Sequence, residues 1–248
     1  MSARQERHSP LAWLTLLLAL SASVSASAQT QPRQYEAVYT LRFSVARGEA
    51  EVSLRQQEDG TYVYNAVTEP TGLLGVFVRG SIRETSTFTV ADGRLVPLRY
   101  ERVDSISSDE RDMEITFDWE NGVAVTRFDE TTENVSLSPS HIDPGLVPVA
   151  VMFDLSQGRE PGPYTLIERG RLEPVDVGAD GDEKLKTGAG TYPSARFSHG
   201  APELGRITRL WAAPDLGHLM VQMAQYKGDK ERAKLTLKSV EFLPMTAP

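Results

Sequence analysis

The side chains able to do chemistry are few and scattered. Beyond the N-terminal segment there are three histidines, His141, His199 and His218. None has a second histidine or a carboxylate at a metal-binding spacing such as His-x-x-x-His. Asp143 follows His141 by two residues and could join it in a site, but a single such pair reads as loop punctuation. The chain has no cysteine, so a thiolate nucleophile is excluded, and no serine sits in the Gly-x-Ser-x-Gly elbow of esterases. Gly188-Ala189-Gly190 lacks the Lys-Ser/Thr that completes a phosphate cradle and reads as a turn. The carboxylate pairs Asp109-Glu110 and Glu130 with Glu133 have no apolar surroundings to raise a pKa, so they read as solvated turn residues. These residues therefore predict no catalytic set, no metal and no cofactor.

The elements that would have to position a site are mostly strands. Residues 1–28 stand apart: Arg4 and Arg7 precede an apolar run, Leu11 to Leu20, and Ala26-Ser27-Ala28 is a small-residue cleavage signal. A bilayer needs about 20 apolar residues. The segment is therefore expected to be a cleavable Sec signal peptide, leaving a periplasmic protein with no transmembrane anchor. A linker, residues 29–34, is expected to lead into one β-rich domain over 35–248. The formal net charge of −8, without a basic cluster, argues against nucleic acid and anionic lipid headgroups as partners. Without disulfides, apolar burial must hold the fold together.

From Tyr35 the pattern alternates with period two: Tyr35, Ala37, Tyr39, Leu41 and Phe43 on one face, Glu36, Thr40, Arg42 and Ser44 on the other. Further strands are expected over 50–54, 61–68, 81–90, 95–103, 111–119 and 123–128. Asp59-Gly60, Asp92-Gly93 and Asn121-Gly122 mark the turns, the last expected as a type I′ hairpin. Residues 129–163 read as loop around one short buried helix, Leu146 to Leu155, with Asp143 as N-cap and Pro144 at its first position. Strands return over 164–168, 171–177, 183–187 and 194–199. The chain ends in a hairpin turned by Pro214-Asp215-Leu216-Gly217 and a last strand over 232–242. Short connections without alternating helices predict an all-β fold: one highly curved antiparallel sheet, barrel or half-barrel, with the helix packed against it.

The order of motifs resembles a bacterial domain-of-unknown-function family, numbered 3108. The resemblance rests on Tyr35 to Tyr39, Gly72 to Gly80, Gly93 to Tyr100, Phe117 to Trp119 and Leu210 to Leu219. It implies an exported protein and no assigned activity. The late hairpin alone is also similar to the periplasmic lipoprotein carriers, whose half-barrel is capped by a helix over an apolar groove.

A curved sheet collects its alternate aromatic positions on the concave face, which is either filled as core or left as a groove. The apolar run Leu73 to Val78 either plugs one end of the sheet or lines a cavity. On the groove reading, Leu73, Leu74, Phe77, Arg79, Arg83 and Trp211 are the candidate ligand-binding residues, with Arg79 and Arg83 at the mouth. The expected function is non-catalytic binding of a lipid or other apolar ligand, or of an envelope protein. The alternative is an envelope hydrolase built from loop carboxylates with His141 or His218.

Overall fold

The computed structural model describes residues 31–44, 46–72, 80–106, 112–201 and 205–244. The predicted signal peptide and the residues Leu73, Leu74, Phe77 and Arg79 lie outside them.

The strands expected before residue 129 are present: β1 (Tyr35–Phe43), β2 (Ala46–Gln56), β3 (Tyr62–Thr71), β4 (Ile82–Ala91), β5 (Arg94–Asp104), β6 (Met113–Asp118) and β7 (Val123–Phe128). The stretch expected as loop holds two more, β8 (Thr131–Ser136) and the short β9 (His141–Ile142). The helix α1 (Val147–Ser156) follows a 3-10 turn, Pro144–Leu146. Then come β10 (Tyr164–Glu168), β11 (Arg171–Val175), β12 (Gly178–Lys186), β13 (Thr191–Ala201), β14 (Arg206–Ala213), β15 (Leu219–Lys227) and β16 (Lys230–Phe242).

Thirteen strands form one antiparallel meander in the order β12 to β16, then β1 to β8, because β1 pairs with β16 from Tyr35↔Phe242 to Phe43↔Ala233. The sheet is open, with β12 and β8 as its edges. The remaining strands, β9 to β11, make a small separate sheet.

Burial follows the two-residue period. Tyr35, Ala37 and Tyr39 of β1, Ala50, Val52 and Leu54 of β2, and Tyr62 and Tyr64 of β3 face a shared core, while Glu36, Glu51 and Arg55 face solvent. The helix itself supplies Val147, Val149, Ala150, Val151, Met152 and Phe153, all buried. A helix apolar on every side cannot rest on a surface and must be enclosed; the curved sheet encloses it. A second core, with Tyr100, Ile115, Phe117 and Ala124, lies toward the β8 edge and receives Ile167 from the small sheet.

Three local outcomes differ from the sequence reading. Asn121-Gly122 is not a two-residue type I′ turn, because only Gly122 has positive φ and the pairing closes at Asp118↔Val123. The Asp118 carboxylate accepts from the Asn121 backbone and side-chain amides and sets a four-residue loop instead. Two positive φ values occur instead at Asp92-Gly93, closed by Ala91↔Arg94, and at Arg169-Gly170, closed by Glu168↔Arg171. Residues 31–34 are not a free linker: Pro32 and Gln34 are buried, and Gln34 bonds to Gln56 and Pro244.

Candidate functional site

The concave face is partly filled and partly open. Strand register places inward side chains in rows across β1 to β5, each row two residues, or roughly 7 Å, from the next. The innermost row is Tyr35, Leu54, Tyr64, Ser86 and Tyr100. The next is Ala37, Val52, Ala66, Glu84 and Arg102, and the third is Tyr39, Ala50, Thr68, Ile82 and Asp104. Leu41 with Gly48 and Pro70, then Phe43 with Ala46, complete the rim.

Two cavities occupy this face. An inner one of about 350 Å³ lies between the sheet and the helix, bounded by Tyr35, Tyr39, Val52, Tyr64, Met152, Leu219 and Met220. An outer one of about 670 Å³ runs to the rim past Leu41, Phe43, Ile82, Ile106 and Ala233. Thr68, Glu84, Arg102, Met223, Gln225 and Leu235 line both, so the two form one groove. It ends where Pro144, Gly145 and Pro148 close it at the start of the helix region. On the other side of α1, Ala150 and Phe153 contribute to a separate cleft of about 560 Å³, clasped by the Arg159–Asp154 ion pair and by Tyr164, whose hydroxyl donates to Asp154 at 2.6 Å.

The groove's polar groups are concentrated on one wall. Arg102 stands between two carboxylates, with Nη1 3.4 Å from Glu84 Oε1 and Nη2 3.3 Å from Asp104 Oδ2. Tyr100 donates to Glu84 Oε1 at 2.6 Å. Burial works against the Arg102 charge, yet Glu84, Tyr100 and Asp104 together hold its pKa above the ordinary guanidinium value. The Tyr35 and Tyr64 phenols are pushed up by burial, Tyr64 further by its tyrosine neighbours and Glu84, so both remain protonated.

Beneath this wall lies a buried anchor. Asp143 accepts from Ser86 Oγ at 2.6 Å and from the Leu146 amide at 3.1 Å, as the N-cap that its position before Pro144 predicts. Gly145 fits there because a Cβ would stand 2.5 Å from Ser86 Oγ and 3.1 Å from the Tyr100 ring. The contact joins the start of the helical segment to β4 and β5 and fixes the groove's closed end.

Of the predicted ligand-binding residues that are described, neither lines the groove. Arg83 is exposed on the face of β4 opposite Ile82 and Glu84. Trp211 is buried in the core, its Nε1 donating to Glu183 Oε2 at 3.0 Å. Arg102, and not Arg83, is on the groove lining. It escaped notice because Arg99-Tyr100-Glu101-Arg102 reads as ordinary strand alternation until β4 places Glu84 beside it. The histidines do not converge on carboxylates: His141 accepts from the Ser138 amide through Nδ1, and burial lowers the pKa of His141, His199 and His218. Among the described residues no cluster could hold a metal ion, and no helix is long and apolar enough to cross a membrane.

The model of a family described as protein of unknown function (DUF3108) matches residues 34–236, and the chain belongs to that family. No curated protein matches the sequence. Among solved structures, a β-barrel-like protein of unknown function (DUF1849) from Brucella abortus is 11% identical with a TM-score of 0.53, covering 87% of this chain and 100% of that one. The MucA/MucB complex of Pseudomonas aeruginosa is 8% identical with a TM-score of 0.41, over 87% of this chain and 53% of that one. A protein described as a candidate lipoprotein from Parabacteroides distasonis is 11% identical with a TM-score of 0.34, over 86% and 96% of the two chains. The first of these agrees with a barrel-like fold and, at that identity, speaks to the fold alone.

Proposed function

We propose that this member of the DUF3108 family is a non-catalytic periplasmic binding protein whose concave groove holds a small apolar ligand. One observation carries the reading: the sheet's inward rows are packed by α1 at one end and left as a continuous groove from the helix to the rim. Interiors are normally filled, and ligand sites fall at about 300–1,000 Å³; the compartments of about 350 and 670 Å³ lie within that range. The signal-like pattern of residues 1–28 supports export.

Two substitutions on neighbouring residues of one strand test it. Thr68 lines the groove, whereas Val67 projects from the opposite face of β3. Thr68→Trp is expected to abolish the mass of co-purifying lipid seen by native mass spectrometry and lipid extraction, while Val67→Trp retains it. Wild-type protein purified from its own periplasm without any bound species would count against the reading, as would equal occupancy in both variants.

A further inference from the structure

We propose that the rim of the groove is a docking surface for a lipid bilayer carrying anionic phospholipid, with a basic lip on β14, β15, β16, β1 and β2 and Phe43 as its apolar contact. The proposal concerns the rim and is independent of what the groove holds. Strand register gathers there cations that lie far apart in sequence. Arg206 pairs with Lys227 and Lys227 with Lys230, which sets three cations side by side across the ends of β14, β15 and β16. In the same way Arg42 of β1 stands between Arg47 of β2 and Lys234 of β16. Arg232 joins them, its carbonyl accepting from the Ser44 amide just past β1. Against these the same strand ends carry Asp229 and Glu231, the latter paired with both Arg42 and Lys234. Arg47, Arg206, Lys227, Lys230 and Arg232 are exposed and ion-paired to no other described residue. The carboxylates Glu69, Glu84 and Asp104 lie further round, on β3, β4 and β5.

Charge is therefore unevenly placed on an acidic chain. The turns at the opposite end of the sheet carry Glu58, Asp59, Asp92, Glu120 and Asp215, all exposed. Salt screens charge over about 10 Å at 0.1 M, so an anionic surface facing the rim meets the lip and not the net charge. Anionic headgroups were unexpected from the sequence because it holds no basic run; the fold assembles the cluster instead. Phe43 adds the apolar half. It ends β1 beside Arg42 and is 54% exposed, whereas Tyr35 and Tyr39, on the same face of the strand, are 4% and 7% exposed. Aromatic side chains favour the bilayer interface, and an apolar contact and a basic patch reinforce one another on an anionic membrane. Because Phe43, Arg47 and Ala233 also line the outer cavity, docking by this rim turns the groove mouth toward the bilayer.

Vesicle flotation tests this with protein purified from its own periplasm and two compositions, phosphatidylcholine alone and phosphatidylcholine mixed with phosphatidylglycerol. Binding is expected to be about tenfold tighter to the anionic vesicles and to fall as salt is raised. Lys230→Glu combined with Arg232→Glu is expected to weaken it about tenfold, and Phe43→Ser about threefold. Arg94→Glu combined with Lys186→Glu makes the same change of charge at the opposite end of the sheet and is expected to leave binding unaltered. Thr68→Trp obstructs the groove but spares the lip, so it is expected to bind vesicles like wild type. Equal binding to both compositions would overturn the proposal, as would an equal loss in the two charge-reversed pairs. A loss confined to Thr68→Trp would overturn it too, assigning vesicle binding to the groove. Flotation with neither composition would overturn the bilayer as partner, and retention on a polyglutamate resin would then give the lip to an acidic protein.

Discussion

Asp143 is the residue whose chemistry departs most from its surroundings in sequence. It is fully buried, and burial pushes its pKa up from 3.8 to about 7 despite hydrogen bonds from Ser86 and from the Leu146 and Gly145 amides that pull the other way. Glu84 adds to the upward shift, while Oδ2 has no partner. The folded chain therefore holds a proton that the unfolded chain releases near pH 4. By linkage, stability falls as pH rises from about 4 to 7 and is level above that. The full effect is on the order of 4 kcal/mol, at about 1.4 kcal/mol per unit. Asp143→Asn keeps an oxygen for Ser86 and Leu146 and removes the ionisation. It is expected to melt at or above wild type at pH 8 and to lose this fall between pH 5 and 7. Parallel pH profiles for the two proteins would assign the titration to another group. The N-cap role was legible from Asp143-Pro144 alone. Its burial against β4 was not, since Ser86 lies 57 residues away.

Among the elements, the β14–β15 hairpin shows how local chemistry and packing divide the work. Pro214–Leu216 forms a 3-10 turn, and Gly217 caps it at φ 65°, a left-handed conformation that a Cβ resists by about 1–2 kcal/mol. Ahead of the turn, Trp211 is 4% exposed and bonded to Glu183 of β12. Gly217→Ala should therefore lower the melting temperature modestly, and Trp211→Ala severely, at about 3–5 kcal/mol for a buried aromatic. Neither residue lines the groove, so co-purifying lipid is expected to survive in whatever fraction remains folded. A melting temperature unchanged in both would refute the structural role. Turn chemistry made this hairpin readable. The same approach missed β8, Thr131–Ser136, because only Val135 is buried and an exposed edge strand shows no apolar alternation. The helix was readable for the opposite reason: Val147 to Phe153 is too apolar to belong anywhere but an interior.

At the scale of the molecule, an open meander of thirteen strands wraps a helix that fills only part of its concave side. Occupying the remaining groove should stabilise the whole fold by mass action, about 2.7 kcal/mol at a hundredfold excess over Kd. A saturating apolar ligand is expected to raise the melting temperature of wild type and of Val67→Trp, and to leave that of Thr68→Trp unmoved. Equal shifts in all three would point to binding outside the groove. Sequence alone determined the strands with two-sided alternation, most turns, the buried helix and its cap, and the family, because each is written in residues close together along the chain. Tertiary structure alone decided the pairing of β1 with β16, the depth to which the helix fills the sheet, and the meeting of Glu84, Arg102 and Asp104. Those depend on register between strands. A slip of one residue would turn every inward side chain outward, and nothing within a single strand records which neighbour it will face.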